Sequence, residues 1–294
     1  MMSFVVSCCS SVDIPVEQLK ENNISYVPMH YSLDGEAFLD ELETRAPMAD
    51  FYKKMSEGAL TATSQVNIDE YKKYFESFLA EGKDILHICL SSGITGTYNS
   101  ALIAKEDLLE KYPDSKIVLV DSLCASCGYG ILALRAAKMQ KEGCSVEETA
   151  DYIEKLKHRV QHWFFSTDLS YYVRGGRLSA VSGWFGTVLK ICPLLEVDGE
   201  GKLVPREKCR GKQKAITACA EKMKLFTENG SKYDGECYIA NADCIDDAKA
   251  LAAILEKEFP KLKNKIQIVD IGAIIGSHTG PGTTGLFFVG KEKL

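Results

Sequence analysis

The stretch DILHICLSSGITGTYNSA, Asp84 to Ala101, starts as a nearly all-apolar run and passes into a loop of hydroxyls and glycine beside a helix N-terminus. Two other stretches have the same form. FVVSC (Phe4 to Cys8) runs into SCCSSVD, and KIVLVDS (Lys116 to Ser122) runs into DSLCASCGYG. Short runs of this kind are expected of parallel strands buried on both faces. Helical patterns lie between them. In NIDEYKKYFESFLAEG the apolar residues Tyr71, Tyr74, Phe75, Phe78 and Leu79 make one stripe, and Asn67 with Glu70 forms a capping box. Ser145 with Glu148 opens a further helix that runs to about Val160. The alternation is βαβ, which predicts an α/β, Rossmann-like domain with a parallel sheet over residues 1–160.

After Gln161 the texture changes. HWFFSTDLSYYV, KLVPRE, GECYIAN, KIQIVDIGAII and GLFFVG read as strands, and only two clear helices appear, near Lys212 to Thr227 and Ile245 to Glu258. This predicts a second, mixed or antiparallel α/β domain over residues 161–294, packed closely on the first because no linker is rich in Pro, Gly or Ser. Between the last two apolar runs, GSHTGPGTTG (Gly276 to Gly285) reads as a flexible, hydroxyl-rich loop carrying His278.

Open α/β sheets bind ligands at the carboxyl ends of their strands. Hydroxyls and backbone N–H groups at such a place suit an anion, so Ser91, Ser92, Thr95 and Thr97 suggest a site for a carboxylate or phosphate. Taken singly, each hydroxyl is better explained as a helix cap, and it is the combination of three such loops that points to a site, without fixing its chemistry. No Walker loop is present and no GxGxxG follows a strand, so nucleotide binding has little support. The net charge of −6 argues against nucleic acid as the main partner. No apolar run reaches the roughly 18 residues of a membrane span, and the start lacks a signal-peptide pattern, so no stable membrane insertion is expected. An odd number of cysteines, eleven, is scattered through strands and helices. That pattern predicts free thiols in a reducing cytoplasm rather than a disulfide framework. Cys124 and Cys127 have CxxC spacing, but no second pair and no paired His completes a metal site, so they read as structural, and no metal or cofactor is expected. Vicinal Cys8 and Cys9 read as small buried residues, and His87, inside an apolar strand, reads as core. Arg174, Arg177, Arg206, Lys208, Arg210 and Lys212 form either a solvated face or a docking patch for a phosphate-bearing partner.

Several separated motifs, in order, make the chain resemble the DegV family of bacterial fatty-acid-binding proteins. They are SSVDIP, TATSQ (Thr61 to Gln65), SSGITGTYNSA, DSLCASCGYG, YYVRGGRLS (Tyr171 to Ser179) and IGSHTGPGTTG. The resemblance implies two α/β domains enclosing one long-chain fatty acid, its carboxylate held by Thr63 and Ser92, with His278 brought to the same end. It places Arg177 near a phosphoryl-transfer surface, and Ser64, Ser91, Gly93 and Thr279 near the head group or a partner surface. It also implies a partner, a separate fatty acid kinase related to dihydroxyacetone kinases, which makes acyl phosphate, so that this chain holds no catalytic residue. One position departs from the family pattern. Cys9 stands where an aspartate is usual, which predicts a lost negative charge near the head group. The physics suits such a ligand, since about 15 methylenes at about 0.8 kcal/mol each offer about 12 kcal/mol of burial before ordering losses. The competing reading is a stand-alone enzyme acting on a small carboxylated or phosphorylated substrate through His278 and a Ser or Cys. A long apolar tunnel favours the carrier, and an open polar cleft favours the enzyme.

Overall fold

A computed structural model describes residues 4–178 and 191–293. Met1 to Ser3, Leu294 and Ser179, the last residue of YYVRGGRLS, lie outside the described residues. Strand β1 (Phe4–Cys9) is followed by β2 (Ile24–Val27). The next three strands, β3 (His30–Leu33), β4 (Glu36–Leu39) and β5 (Thr61–Ser64), form a separate antiparallel sheet in the order β4-β3-β5. The chain then returns to β6 (Asp84–Cys89) and β7 (Ile117–Asp121), completing a parallel sheet in the order β2-β1-β6-β7. The three apolar runs are its β1, β6 and β7, and both capping boxes form, Asn67 with Glu70 and Ser145 with Glu148. The small sheet has no counterpart in the sequence reading, because its strands are short and mixed in polarity.

The second sheet contains β8 (Val160–Phe165), β9 (Ile191–Val197), β10 (Leu203–Arg210), β11 (Cys237–Asn241), β12 (Gln267–Asp270) and β13 (Thr284–Val289). Its order is β10-β9-β8-β13-β11-β12, antiparallel throughout except for the parallel pair β11–β12. Helices Lys212–Phe226 and Ile245–Glu258 cover one face, with Trp163, Ile239, Leu286 and Phe288 beneath them. The alternate residues Tyr238, Ala240 and Phe287 point the other way and join the core of the parallel sheet. Successive strand residues face opposite sides, so a strand apolar on both sides can serve two cores. The large core therefore runs from the first half of the chain into the second.

Two expectations are corrected here. The segment read as strand and flexible loop holds a helix, Ala273–Thr279, placing His278 on its last turn. Its β-branched residues suggested a strand, but β12 stops at Asp270, and Ala273, Ile274, Gly276 and Ser277 are buried on one side of the helix. Likewise HWFFSTDLSYYV is a strand only to Phe165. Its second half is the short helix Ser170–Arg174, with Tyr172 fully buried and its ring stacked on Phe164.

Candidate functional site

Between the parallel sheet and the mixed sheet lies a cavity. Its walls are apolar. Leu90 and Ile94 contribute from the loop after β6, and Phe164, Val197, Leu203 and Phe287 from β8, β9, β10 and β13. This is the carboxyl end of the parallel sheet, beside the neighbours β1 and β6, where the topology leaves a crevice. Polar groups gather where Thr63, Thr95, Arg177, His278 and Thr279 reach the wall.

Local structure explains which side chains arrive there. Along β5 the inner residues are Thr61 and Thr63, whereas Ala62 and Ser64 are exposed, as strand alternation requires. Thr61 Oγ1 donates to Ser277 O at 3.2 Å, joining β5 to the helix that carries His278. Two residues along the strand, Thr63 Oγ1 and His278 Nε2 are 2.7 Å apart. His278 Nδ1 is buried with no hydrogen-bond partner among the described residues. It faces Gly175, where an added Cβ would lie 2.4 Å from Nδ1, so only glycine leaves room for the ring.

Arg177 stands beside this pair. Its Nη1 donates to Gly175 O at 2.6 Å and its Nε to Ile94 O at 3.3 Å. It makes no ion pair with a carboxylate among the described residues. Burial, and secondly the Arg177 charge, lower the His278 pKa to about 4, so the imidazole is neutral at neutral pH. A buried N–H without a partner is rarer than a buried acceptor without one. We therefore assign the ring proton to Nε2, donated to Thr63 Oγ1, with the Nδ1 lone pair in the field of Arg177. That arrangement leaves the Thr63 hydroxyl hydrogen free for an acceptor in the cavity. A half-buried guanidinium without a counter-ion, beside orientable hydroxyls, suits an anion.

The structure separates the other candidates from this group. Ser92 is exposed and does not line the cavity. Its Oγ donates to Asp121 Oδ2 at 2.5 Å and its N–H to Asp121 Oδ1 at 3.0 Å, which turns the side chain outward. Thr95, three residues on, is the hydroxyl that the same loop turns into the cavity. Ser64 is exposed on the other face of β5. Ser91 is fully buried, and Gly93 packs against the backbone of Glu200 and Gly201, both away from the lining.

Cys9 is not on the cavity wall either. Its Sγ lies 3.3 Å from Tyr71 Oη and 3.9 Å from His87 Nε2, in a closed cluster with Ser7 Oγ 2.6 Å from His87 Nδ1. The expected loss of charge beside the head group therefore falls in the core. Burial lowers the His87 pKa to about 3 and raises that of Cys9, so both stay neutral. The CxxC cysteines are buried and free, and among the described residues no group of His, Cys, Asp or Glu could hold a metal ion. The proposed basic patch is partly neutralised within the chain, Arg206 pairing with Glu196 and Lys212 with Asp247. The enzyme reading loses its geometry as well. His278 bonds a threonine, and among the described residues no carboxylate holds its other nitrogen.

The two sheets thus enclose a mainly apolar cavity whose cationic, hydroxyl-bearing region suits an amphipathic anion. A family model described as "Uncharacterised protein, DegV family" matches residues 5–291. A DegV domain-containing protein of Clostridium perfringens is 36% identical over 293 residues, covering 100% of this chain and 99% of the relative. A protein of Thermotoga maritima described as a fatty acid-binding protein is 32% identical, over 94% of each chain. Among solved structures, DegV of Bacillus subtilis, described as a fatty acid binding protein, superposes with a TM-score of 0.82 at 28% identity, covering 99% of this chain and 100% of that one. The chain belongs to the DegV family.

Proposed function

We propose that this protein binds one long-chain fatty acid in the cavity, between residues 1–160 and 161–294. Its carboxylate lies at Thr63, Thr95, His278 and Arg177. The observation that carries this reading is Arg177, without a carboxylate partner among the described residues, beside the neutral His278–Thr63 pair in a mainly apolar cavity. The relatives described as fatty-acid binders support the choice of ligand. Thr95 takes the role that the family resemblance gave to Ser92, because Ser92 faces solvent and Asp121 holds it.

Among the described residues no acid–base pair stands at the proposed carboxylate position. The chain therefore presents the carboxylate to a separate, dihydroxyacetone-kinase-like fatty acid kinase, and the partner supplies the phosphoryl-transfer chemistry. The family resemblance supports this second step. Eleven free cysteines support a reducing cytoplasmic location. Native mass spectrometry of freshly purified protein, followed by denaturing extraction, tests the ligand, with one fatty acid per chain expected. Protein that is lipid-free and takes up neither palmitate nor oleate refutes the carrier. Acyl-phosphate formation with the kinase tests the partnership, and lipid-loaded protein that never serves as its substrate refutes that step alone.

A further inference from the structure

Ser91 and Gly93 belong to the SSG motif yet touch no part of the cavity, and their surroundings suggest a different task. The hairpin β9–β10 is one wall of the cavity, with Val197 and Leu203 facing each other across the ladder and both on the lining. Among the described residues β10 is an edge strand, and β9 pairs with β8 through Glu196, Leu195 and Leu194, opposite Trp163, Phe164 and Phe165. The hairpin tip is built stiff. Asp198 Oδ1 accepts from the N–H groups of Glu200 and Lys202, each at 2.9 Å, and Gly201 N–H donates to Asp198 O at 3.0 Å.

That tip rests on the SSG loop of the first half of the chain. Ser91 Oγ, fully buried, donates to Gly201 O at 2.8 Å. A Cβ at Gly93 would lie 2.8 Å from Gly201 O and 2.9 Å from Glu200 O. Gly201 has φ +74°, and a Cβ there would lie 2.1 Å from Ser91 Oγ and 3.0 Å from Leu123 Cα. At Gly93 and Gly201 the two backbones approach closely, with the Ser91 hydroxyl bridging them, so the contact holds only while the two glycines and the one hydroxyl are in place.

We propose that Ser91, Gly93 and Gly201 form a latch that holds the β9–β10 wall over the acyl chain, and that the hairpin lifts from this contact to exchange ligand. The latch rests on the fatty-acid reading. Ser91 is a positioning residue, acting on the ligand through Val197 and Leu203. Loosening the latch multiplies the open population, which speeds binding and release by the same factor and leaves Kd unchanged. A ligand contact would change Kd instead.

The test uses delipidated full-length protein, cis-parinaric acid as the fluorescent fatty acid, and stopped-flow transfer to excess albumin. Loss of one neutral hydrogen bond in Ser91→Ala should raise both rates about two- to tenfold. Gly93→Ala, which pushes on the tip backbone, should raise them about tenfold or more. Ser91→Cys with Gly201→Cys, cross-linked by diamide and checked by intact mass, should slow both rates, and dithiothreitol should restore them. The latch is overturned if both alanine variants exchange at the wild-type rate, if the cross-linked protein exchanges as fast as the reduced one, or if release speeds up with an unchanged on-rate. Wild-type protein that does not bind the probe at all refutes the fatty-acid reading instead, before the latch is reached.

Discussion

Arg177→Met removes the guanidinium from the cavity wall while keeping an unbranched apolar stem. Among the described lining residues it is the group that is cationic at neutral pH, since burial and Arg177 itself keep His278 neutral. A hydrogen bond to a charged group contributes about 1.5–3 kcal/mol, and Arg177 is only half-buried, so the lower part of that range applies. Fatty-acid affinity should then fall about 10- to 30-fold near pH 8. A second consequence separates a charge effect from lost packing. Without the neighbouring cation His278 regains part of its basicity, although burial, the larger cause, still holds it below the ordinary value. In the wild type the ring stays neutral well below pH 6, because its pKa is about 4. In the variant it begins to protonate as pH falls, and the imidazolium supplies the positive charge that was removed. The gap between variant and wild type should therefore narrow several-fold from about pH 8 to about pH 5.5. Displacement of cis-parinaric acid from delipidated protein measures both affinities across this range, with a long-chain alcohol as the uncharged control. A loss equal for acid and alcohol, or a gap that does not change with pH, would refute the assignment of Arg177 and His278 to the carboxylate.

Thr63→Ala should weaken fatty-acid binding about 3- to 15-fold, whereas Ser92→Ala should leave it unchanged, and titration of both variants with one ligand checks the contrast. Asp13 bridges Gly272 N–H at 2.8 Å and Ser126 Oγ at 2.5 Å, and burial raises its pKa from 3.8 to about 6. The folded protein thus holds this proton more tightly than the unfolded chain, and stability from the group is full below pH 3.8 and is lost as pH rises through about 6. Asp13→Asn keeps partners for both bonds and never ionises. It should gain up to about 3 kcal/mol over wild type at pH 7.5, with the gain vanishing towards pH 4, as read by urea unfolding. An Asn variant less stable than wild type at pH 7.5 would show that the charge on Asp13 is itself stabilising.

Much of the architecture was legible in local patterns. Continuous apolar runs identified β1, β6 and β7, and the capping boxes at Asn67 and Ser145 marked two helix starts to the residue. These features depend on near neighbours along the chain, so a sequence displays them directly. The helix under His278 was not legible, because the β-branched run before it favours a strand locally, and packing against β5 and β3 decides otherwise. The small sheet holding Thr63 was hidden for a related reason, since its strands are too short and mixed to show a period. Motifs marked the loops of the site without saying which hydroxyl turns inward. In SSGITG, Asp121, twenty-nine residues from Ser92, draws that serine outward, and Thr95 takes the cavity side. Sequence alone therefore determined the βαβ frame and the set of polar loops, both products of short-range periodicity and turn chemistry. Only tertiary structure decided that Thr63, Arg177 and His278 come together on the wall that Thr95 also lines, because those three are aimed by hydrogen bonds or close contacts with residues far along the chain.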